Sequence, residues 1–292
     1  MDLFFKYLEF EKRFSPHTLT SYHTDLGQFS DYLAQTYQIT DAAEAGHSII
    51  RSWIMTLVQK ELDNRTINRK IACLRSYYKF LLRNGRITQN PMLKVKSPKM
   101  AKKLPHFVQQ EPINKLLDGF DFPESFEGYR DKLILEFLYG TGIRLAELIN
   151  IKETDLNLHN NTVTVLGKGN KERIIPINDS LLLCVNKYLN FKKSFFTDNN
   201  PTFLLVTTKT AKLYPKFVYR TVKKYMRLIS TDQHLSPHAL RHSFATHLLN
   251  NGADLNAIKD LLGHTSLAAT QVYTHNSIEK LKSIFDKAHP KA

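Results

Sequence analysis

Residues 236–275 read SPHALRHSFATHLLNNGADLNAIKDLLGHTSLAATQVYTH, and the rest of the chain is organised around this stretch. Ser236 suits an N-cap and Pro237 the first helical position, so a helix is expected to start there and to carry His238 and Arg241 one turn apart on one face. Gly252 can close that helix, Asp254 can cap the next, and Gly263 can end it after Leu261 and Leu262, leaving His264 on the turn. Tyr273 follows nine residues later, on a short segment starting near Ser266. A phosphate held by Arg241, with two imidazoles beside it and a phenol within reach, is a site able to attack a phosphodiester. Each residue also has a plainer reading. Tyr273 is one of 13 tyrosines, and His238, His242, His247 and His264 have spacings that metal ligands also adopt. Against zinc, His242 is followed by Ser243 and not by the glutamate of a zincin helix, and no cysteine lies nearby. The conjunction carries the signal, and no single residue does.

That conjunction, H-x-x-R at His238 and Arg241, L-G-H ending at His264, and a tyrosine nine positions on, resembles the C-terminal signature of the tyrosine recombinases (the phage integrase family), closest to the Xer-type bacterial enzymes. Working outward, YGTGIRLAELINI places Arg144 at a helix start with Glu147 one turn along. On spacing alone this is a surface ion pair contributing less than about 1 kcal/mol. The resemblance of TGIRLAEL to the family's first arginine motif implies instead that Arg144 grips a phosphate oxygen while Glu147 supports the guanidinium. Thr162 to Val165 and Glu172 to Ile177 alternate in polarity around a Gly167–Asn170 turn, which reads as a β-hairpin with Lys168 at its tip. A tip lysine is ordinarily solvent-exposed, and GKGNK lacks the spacing of a Walker loop. The resemblance implies a catalytic role for Lys168.

At 292 residues and 42% hydrophobic content the chain has room for two domains with separate cores. Lys and Arg total 41 against 27 Asp and Glu, a formal charge of +14 that favours a polyanionic partner, as it would in a ribosomal or membrane-surface protein. Two cysteines, Cys73 and Cys184, form neither a disulfide framework nor a metal cluster and read as small buried hydrophobes in a reducing compartment. Neither a membrane-length apolar run nor a signal-peptide pattern is evident, so a cytoplasmic location is expected.

Residues 1–93 read as an all-helical unit. A first helix carries Leu3, Phe4, Tyr7 and Leu8; a second, capped by Ser15 and Pro16, carries Leu19, Tyr22, Leu26, Phe29 and Leu33. After a turn at Gly46, Ile49, Ile50, Trp53, Ile54 and Leu57 mark a third, and Ile67, Ile71, Leu74, Tyr78 and Leu81 a fourth. The polar side of the fourth holds Arg65, Arg69, Lys70, Arg75 and Lys79. Such a run is commonly a solvated face; beside a +14 charge it suggests phosphate contacts, with Arg69 and Lys70 as candidates. Residues 94–105 form a Lys- and Pro-rich linker in which Lys99, Lys102 and Lys103 can neutralise phosphates. Residues 106–292 then read as the catalytic domain. It includes helices near 111–117, 130–139 and 181–191, and a basic one over 217–229 with Lys223 and Lys224 expected near DNA. Gly140 and Gly142 are expected to break the 130–139 helix.

The fold class is therefore mainly α with a small β-hairpin or sheet in the catalytic domain, and the resemblance implies a two-domain DNA clamp. It further implies catalytic roles for Arg144, Lys168, His238, Arg241 and His264 with Tyr273 as nucleophile, and double-stranded DNA as partner. No metal or nucleotide cofactor is expected. The two guanidiniums would stabilise charge on the non-bridging oxygens, His238 would be the base, Lys168 the acid, and His264 a hydrogen-bond donor. A 3′-phosphotyrosyl link would keep the bond energy for religation. Residues 277–287, with the stripe Ile278, Leu281, Ile284 and Phe285, form a terminal helix. It either caps its own domain or, as the family trait implies, docks on a neighbouring protomer in a homo- or hetero-tetramer on two duplexes. A second recombinase and a DNA translocase are possible further partners. Competing classes are a type IB topoisomerase-like relaxase, disfavoured by this terminal helix, and a non-catalytic architectural protein, disfavoured by the complete set of site residues. Chain length without an added arm-binding domain favours the Xer type or a simple invertase, for chromosome dimer resolution, integration or inversion.

Overall fold

The computed structural model describes residues 1–100, 107–167, 171–197, 201–232, 235–263 and 275–291, without the side chains of 275–281. The chain divides into two compact units, Met1–Lys103 and Leu104–Ala292.

The first unit is helical. Helix α1 (Asp2–Lys6) runs into a π-helical turn (Tyr7–Glu11), followed by α2 (Pro16–Tyr37), α3 (His47–Gln59) and α4 (Asn64–Arg83). Ser15 caps α2 by accepting from the Thr18 amide, and Asp63 caps α4 by accepting from Arg65 N at 2.7 Å, satisfying amides that a helix start leaves unpaired. Leu26, Phe29 and Leu33 of α2 meet Ile50, Trp53 and Leu57 of α3 and Ile67, Ile71, Leu74 and Tyr78 of α4 in one core. These are the residues that recur at helical spacing in the sequence. Cys73 lies in this core and Cys184 in that of the second unit, where burial raises both thiols, Cys184 to about 12.

In the second unit α5 (Gln110–Gly119) precedes α6 (Phe126–Thr141), and α6 is buried on nearly every side, including its charged residues Arg130, Asp131 and Glu136. Gly140 does not break α6. It lies inside the helix, which ends at Gly142 in the left-handed conformation (φ +59°). A Cβ there would collide with the Phe244 ring, so conformation and packing both require glycine. The one-turn helix α7 (Leu145–Leu148) follows directly. A three-stranded antiparallel sheet comes next: β1 (Leu156–Asn157), β2 (Thr162–Leu166) and β3 (Glu172–Pro176). Its β2–β3 register pairs Val163 with Ile175 and Val165 with Arg173. The short β1 is an addition to the expected hairpin. Helices α8 (Asp179–Phe195), α9 (Pro215–Met226), α10 (Pro237–Asn250), α11 (Leu255–Leu262) and α12 (His275–Ala288) complete the unit.

Ser236 caps α10 with Pro237 at its first turn, Asp254 caps α11, and Gly263 closes α11 at φ +62°. The end of α12 and the residues after it are held on their own domain. Phe285 and Ala288 enter the core, His289 Nε2 lies 2.9 Å from Gly140 O, and Gln110 and Asn114 donate to Pro290 O. Lys291 Nζ lies 2.7 Å from Glu136 Oε1 and 2.9 Å from Asp118 Oδ1. Burial, helped by the Lys291 charge and opposed by the Gly140 carbonyl, lowers His289 to about 4.

Candidate active site

Arg144, Glu147, His238 and Arg241 converge where α7 and α10 meet the carboxyl end of α11. Arg144 is the N-cap of α7, and its amide donates to Glu147 Oε2 at 2.9 Å while its Nη1 donates to Oε1 at 2.8 Å. Glu147 is buried at 6% exposure, so the surface-pair reading of this spacing does not hold. Its second partner is Arg173 of β3, whose Nη1 and Nη2 lie 2.9 and 2.8 Å from the two carboxylate oxygens. Burial alone would raise the Glu147 carboxyl. The hydrogen bonds and charge of Arg173, then the Arg144 amide and guanidinium, overcome it and hold the group down at about 2.

Arg241, one turn into α10, is buried at 7% exposure. Its Nη1 donates to Gly142 O, and its Nη2 to Leu262 O at 2.6 Å. Arg144 Nη2 donates to Gly263 O at 3.1 Å and Arg173 Nε to Leu261 O at 3.0 Å. Three consecutive carbonyls at the end of α11 thus each accept from a different arginine. Those carbonyls lack helical partners and carry the negative end of the helix dipole, which draws guanidiniums together despite their repulsion. At Arg241, burial and the Arg144 charge, opposed by Glu147, lower the group to about 10.

Arg144, His238, Arg241 and His242 line one cleft of about 1010 Å³, with Ile258, Lys259 and Leu262 of α11 on its other wall. His238 is exposed and His242 half-buried, the latter lowered by burial and by its neighbour His238. His247 faces the other way, with Nδ1 2.9 Å from the Tyr139 hydroxyl in the core. Among the described residues no three His, Cys, Asp or Glu side chains are grouped to hold a metal ion. A guanidinium carries more donors than Arg144 or Arg241 uses here, so both can also take the oxygens of a tetrahedral anion in the cleft. Lys168, His264 and Tyr273 lie outside the described residues.

Of the expected DNA contacts, Lys70 requires correction. It is 3% exposed, and its Nζ donates to Asp25 Oδ1 at 2.8 Å and to Gln28 Oε1 at 2.5 Å, so the ammonium is committed inside the first unit. Arg69 shares Asp25 but is 43% exposed. Lys99 and Lys224 are exposed and Lys223 is half-buried; Lys102 and Lys103 lie outside the described residues. Arg173 is the site residue that the sequence reading missed. Period-2 alternation puts it on the same face of β3 as buried Ile175, and a charge on a buried face demands a partner.

A helical unit followed by a mixed unit with two arginines at one cleft is an arrangement able to hold a phosphate, and sequence comparison gives the family. Residues 106–280 match the Phage integrase family and residues 1–85 the Phage integrase N-terminal SAM-like domain. The chain belongs to the phage integrase family of tyrosine recombinases, enzymes that cut and rejoin DNA at specific sites. It is 36% identical to tyrosine recombinase XerC of Chlorobaculum parvum, over 100% of this chain and 94% of that protein. With XerC of Staphylococcus saprophyticus it shares 39% identity over 98% of this chain and 95% of that protein. Its fold is that of the XerH site-specific recombinase bound to palindromic difH substrate, with a TM-score of 0.72 and 21% identity over 91% of this chain and 78% of that one. No helix of the described residues is long and apolar enough to cross a membrane.

Proposed function

We propose that this recombinase performs an Xer-type exchange in the cytoplasm, with residues 1–93 and 106–292 gripping one duplex as a clamp joined by the linker 94–105. Arg144 and Arg241 bind the scissile phosphate, and Glu147 holds Arg144 in place. Tyr273 attacks the phosphorus with His238 as base, and Lys168 protonates the departing 5′ oxygen. His264 donates a hydrogen bond to a non-bridging oxygen. A tyrosine phenol ordinarily ionises near pH 10, so its proton must leave as the P–O bond forms. The resulting 3′-phosphotyrosyl ester is reversed by a 5′ hydroxyl from another strand. The supporting observation is the convergence of Arg144 and Arg241 on one cleft with His238. Two such preorganised donors stabilise developing phosphate charge, and loss of one costs about 100- to 1000-fold in rate.

Arg69, Lys99, Lys102, Lys103, Lys223 and Lys224 supply further backbone contacts. Four protomers act on two duplexes, with the terminal helix 277–287 docking on a neighbouring protomer; a second recombinase and a translocase complete the task in the cell. Resolution of chromosome dimers fits the XerC resemblance, and integration or inversion uses the same chemistry. The test is a nicked duplex, carrying a site that the protein selects from random sequence, incubated without divalent metal. Wild type forms a covalent protein–DNA band and Tyr273→Phe forms none; a band from both proteins refutes the reading.

A further inference from the structure

Arg173 touches α7, through Glu147, and the carboxyl end of α11, yet does not line the cleft. It is 5% exposed. Its two terminal nitrogens grip both oxygens of Glu147 end-on, and its Nε reaches back to Leu261 O. The carboxylate so held receives the Arg144 amide on one oxygen and the Arg144 guanidinium on the other. A bidentate arginine–carboxylate pair fixes the plane of the carboxylate, and that plane sets the direction of Arg144. At the other end, the Leu261 contact joins β3 to the turn whose next carbonyls, Leu262 O and Gly263 O, hold Arg241 and Arg144. Gly263 is shaped to this. A Cβ there would lie 3.1 to 3.3 Å from Arg173 Cδ, Nη1 and Cζ, so any side chain at this position would crowd the Arg173 stem.

We propose that Arg173 is a positioning residue for DNA cleavage, setting Arg144 through Glu147 and the carboxyl end of α11 directly, so that Arg144 and Arg241 meet the phosphate in one orientation. This rests on the reading that those two arginines bind the scissile phosphate. Arg173 contributes direction and not binding, because it is shielded from the cleft. Among the described residues, Glu147 is faced by Arg144 from α7, Arg173 from β3 and, at longer range, Arg241 from α10. With Arg173 neutralised, the buried carboxyl protonates at higher pH and releases Arg144.

The experiment measures single-turnover cleavage of the same selected nicked duplex by wild type, R173Q and R173K across pH, alongside DNA affinity. R173Q is expected to cleave about 10- to 100-fold more slowly near neutral pH, as when a group that orients a primary ligand is removed. Its deficit relative to wild type should widen as pH falls. R173K keeps a cation near Glu147 but loses the fork, so its deficit is expected to be independent of pH. Both should bind the duplex within about threefold of wild type. Should R173Q fail to fold, R173K decides: cleavage within about threefold of wild type overturns the proposal. So does an R173Q deficit that stays constant across pH. Wild-type cleavage that Tyr273→Phe abolishes keeps the phosphotyrosyl reading intact in either case, and a band from Tyr273→Phe would sink that reading alone.

Discussion

Lys291→Met separates the buried ion pair at the end of the chain and has a calculable effect. The Lys291 and Glu136 side chains are 4% and 1% exposed, and Nζ lies 2.7 Å from Oε1. Glu136 Oε2 has no hydrogen-bond partner. Removing one member of such a pair leaves a buried uncompensated charge, a cost of about 3–5 kcal/mol. The cost is limited from above by the free energy of detaching the tail, since a freed seat admits water to Glu136. In the wild-type protein burial already raises the Glu136 carboxyl, and Lys291 pulls it part of the way back. Without Lys291 it rises further, so the native state holds its proton to higher pH than the unfolded chain does. Stability then falls as pH rises through that range. The deficit of Lys291→Met is therefore smallest in acid and grows toward neutrality. Urea denaturation at about pH 5 and about pH 7.5, paired with limited proteolysis of the tail, measures both limits. The double variant Glu136→Leu with Lys291→Met should recover most of the loss, because a buried pair replaced by apolar groups is commonly neutral. A neutral-pH loss below about 1 kcal/mol without faster tail proteolysis would refute the reasoning.

Glu147→Gln should cost about 3 kcal/mol near neutral pH, the worth of holding a carboxyl near 2 in place of its ordinary 4.5. Because the folded value is depressed, this stability is present above the unfolded value and is lost as pH falls from 4.5 toward 2, so the gap to wild type in urea melts closes over that window. Gly263→Ala places a side chain at φ +62° against Arg173. It should cost about 1–3 kcal/mol and slow cleavage with little change in DNA affinity; unchanged cleavage would separate Arg173 from the site. Lys223→Ala with Lys224→Ala should weaken DNA binding equally on specific and random duplexes and reduce the log–log salt slope by about 1–2. An unchanged slope would remove α9 from the interface.

The elements that locally encoded signals dictate were legible in the sequence. Ser236 with Pro237, Asp254 and Gly263 mark helix ends through contacts within one turn: α10 begins, and α11 begins and ends, where those residues say. The apolar stripes of α2, α3 and α4 likewise report a core face by spacing alone. What escaped depends on partners distant in the chain. Lys70 reads as part of a basic face until Asp25, 45 residues earlier, turns it inward. Arg173 reads as one more polar position in an alternating strand until Glu147 and Leu261, 26 and 88 residues away, close around it. Gly140 reads as a breaker, but α6 is held by packing on all sides and tolerates the glycine, whose carbonyl accepts from His289. The two-residue β1 exists only because β2 pairs with it.

The most direct test of the account is the identity of the atom that carries the DNA. The covalent complex formed on a nicked duplex can be trapped, digested with protease and nuclease, and its nucleotide-bearing peptide sequenced by mass spectrometry. The account predicts a phosphate ester linking the Tyr273 phenol to the 3′ end of the cut strand. An adduct on any other residue, or on a 5′ end, would contradict it.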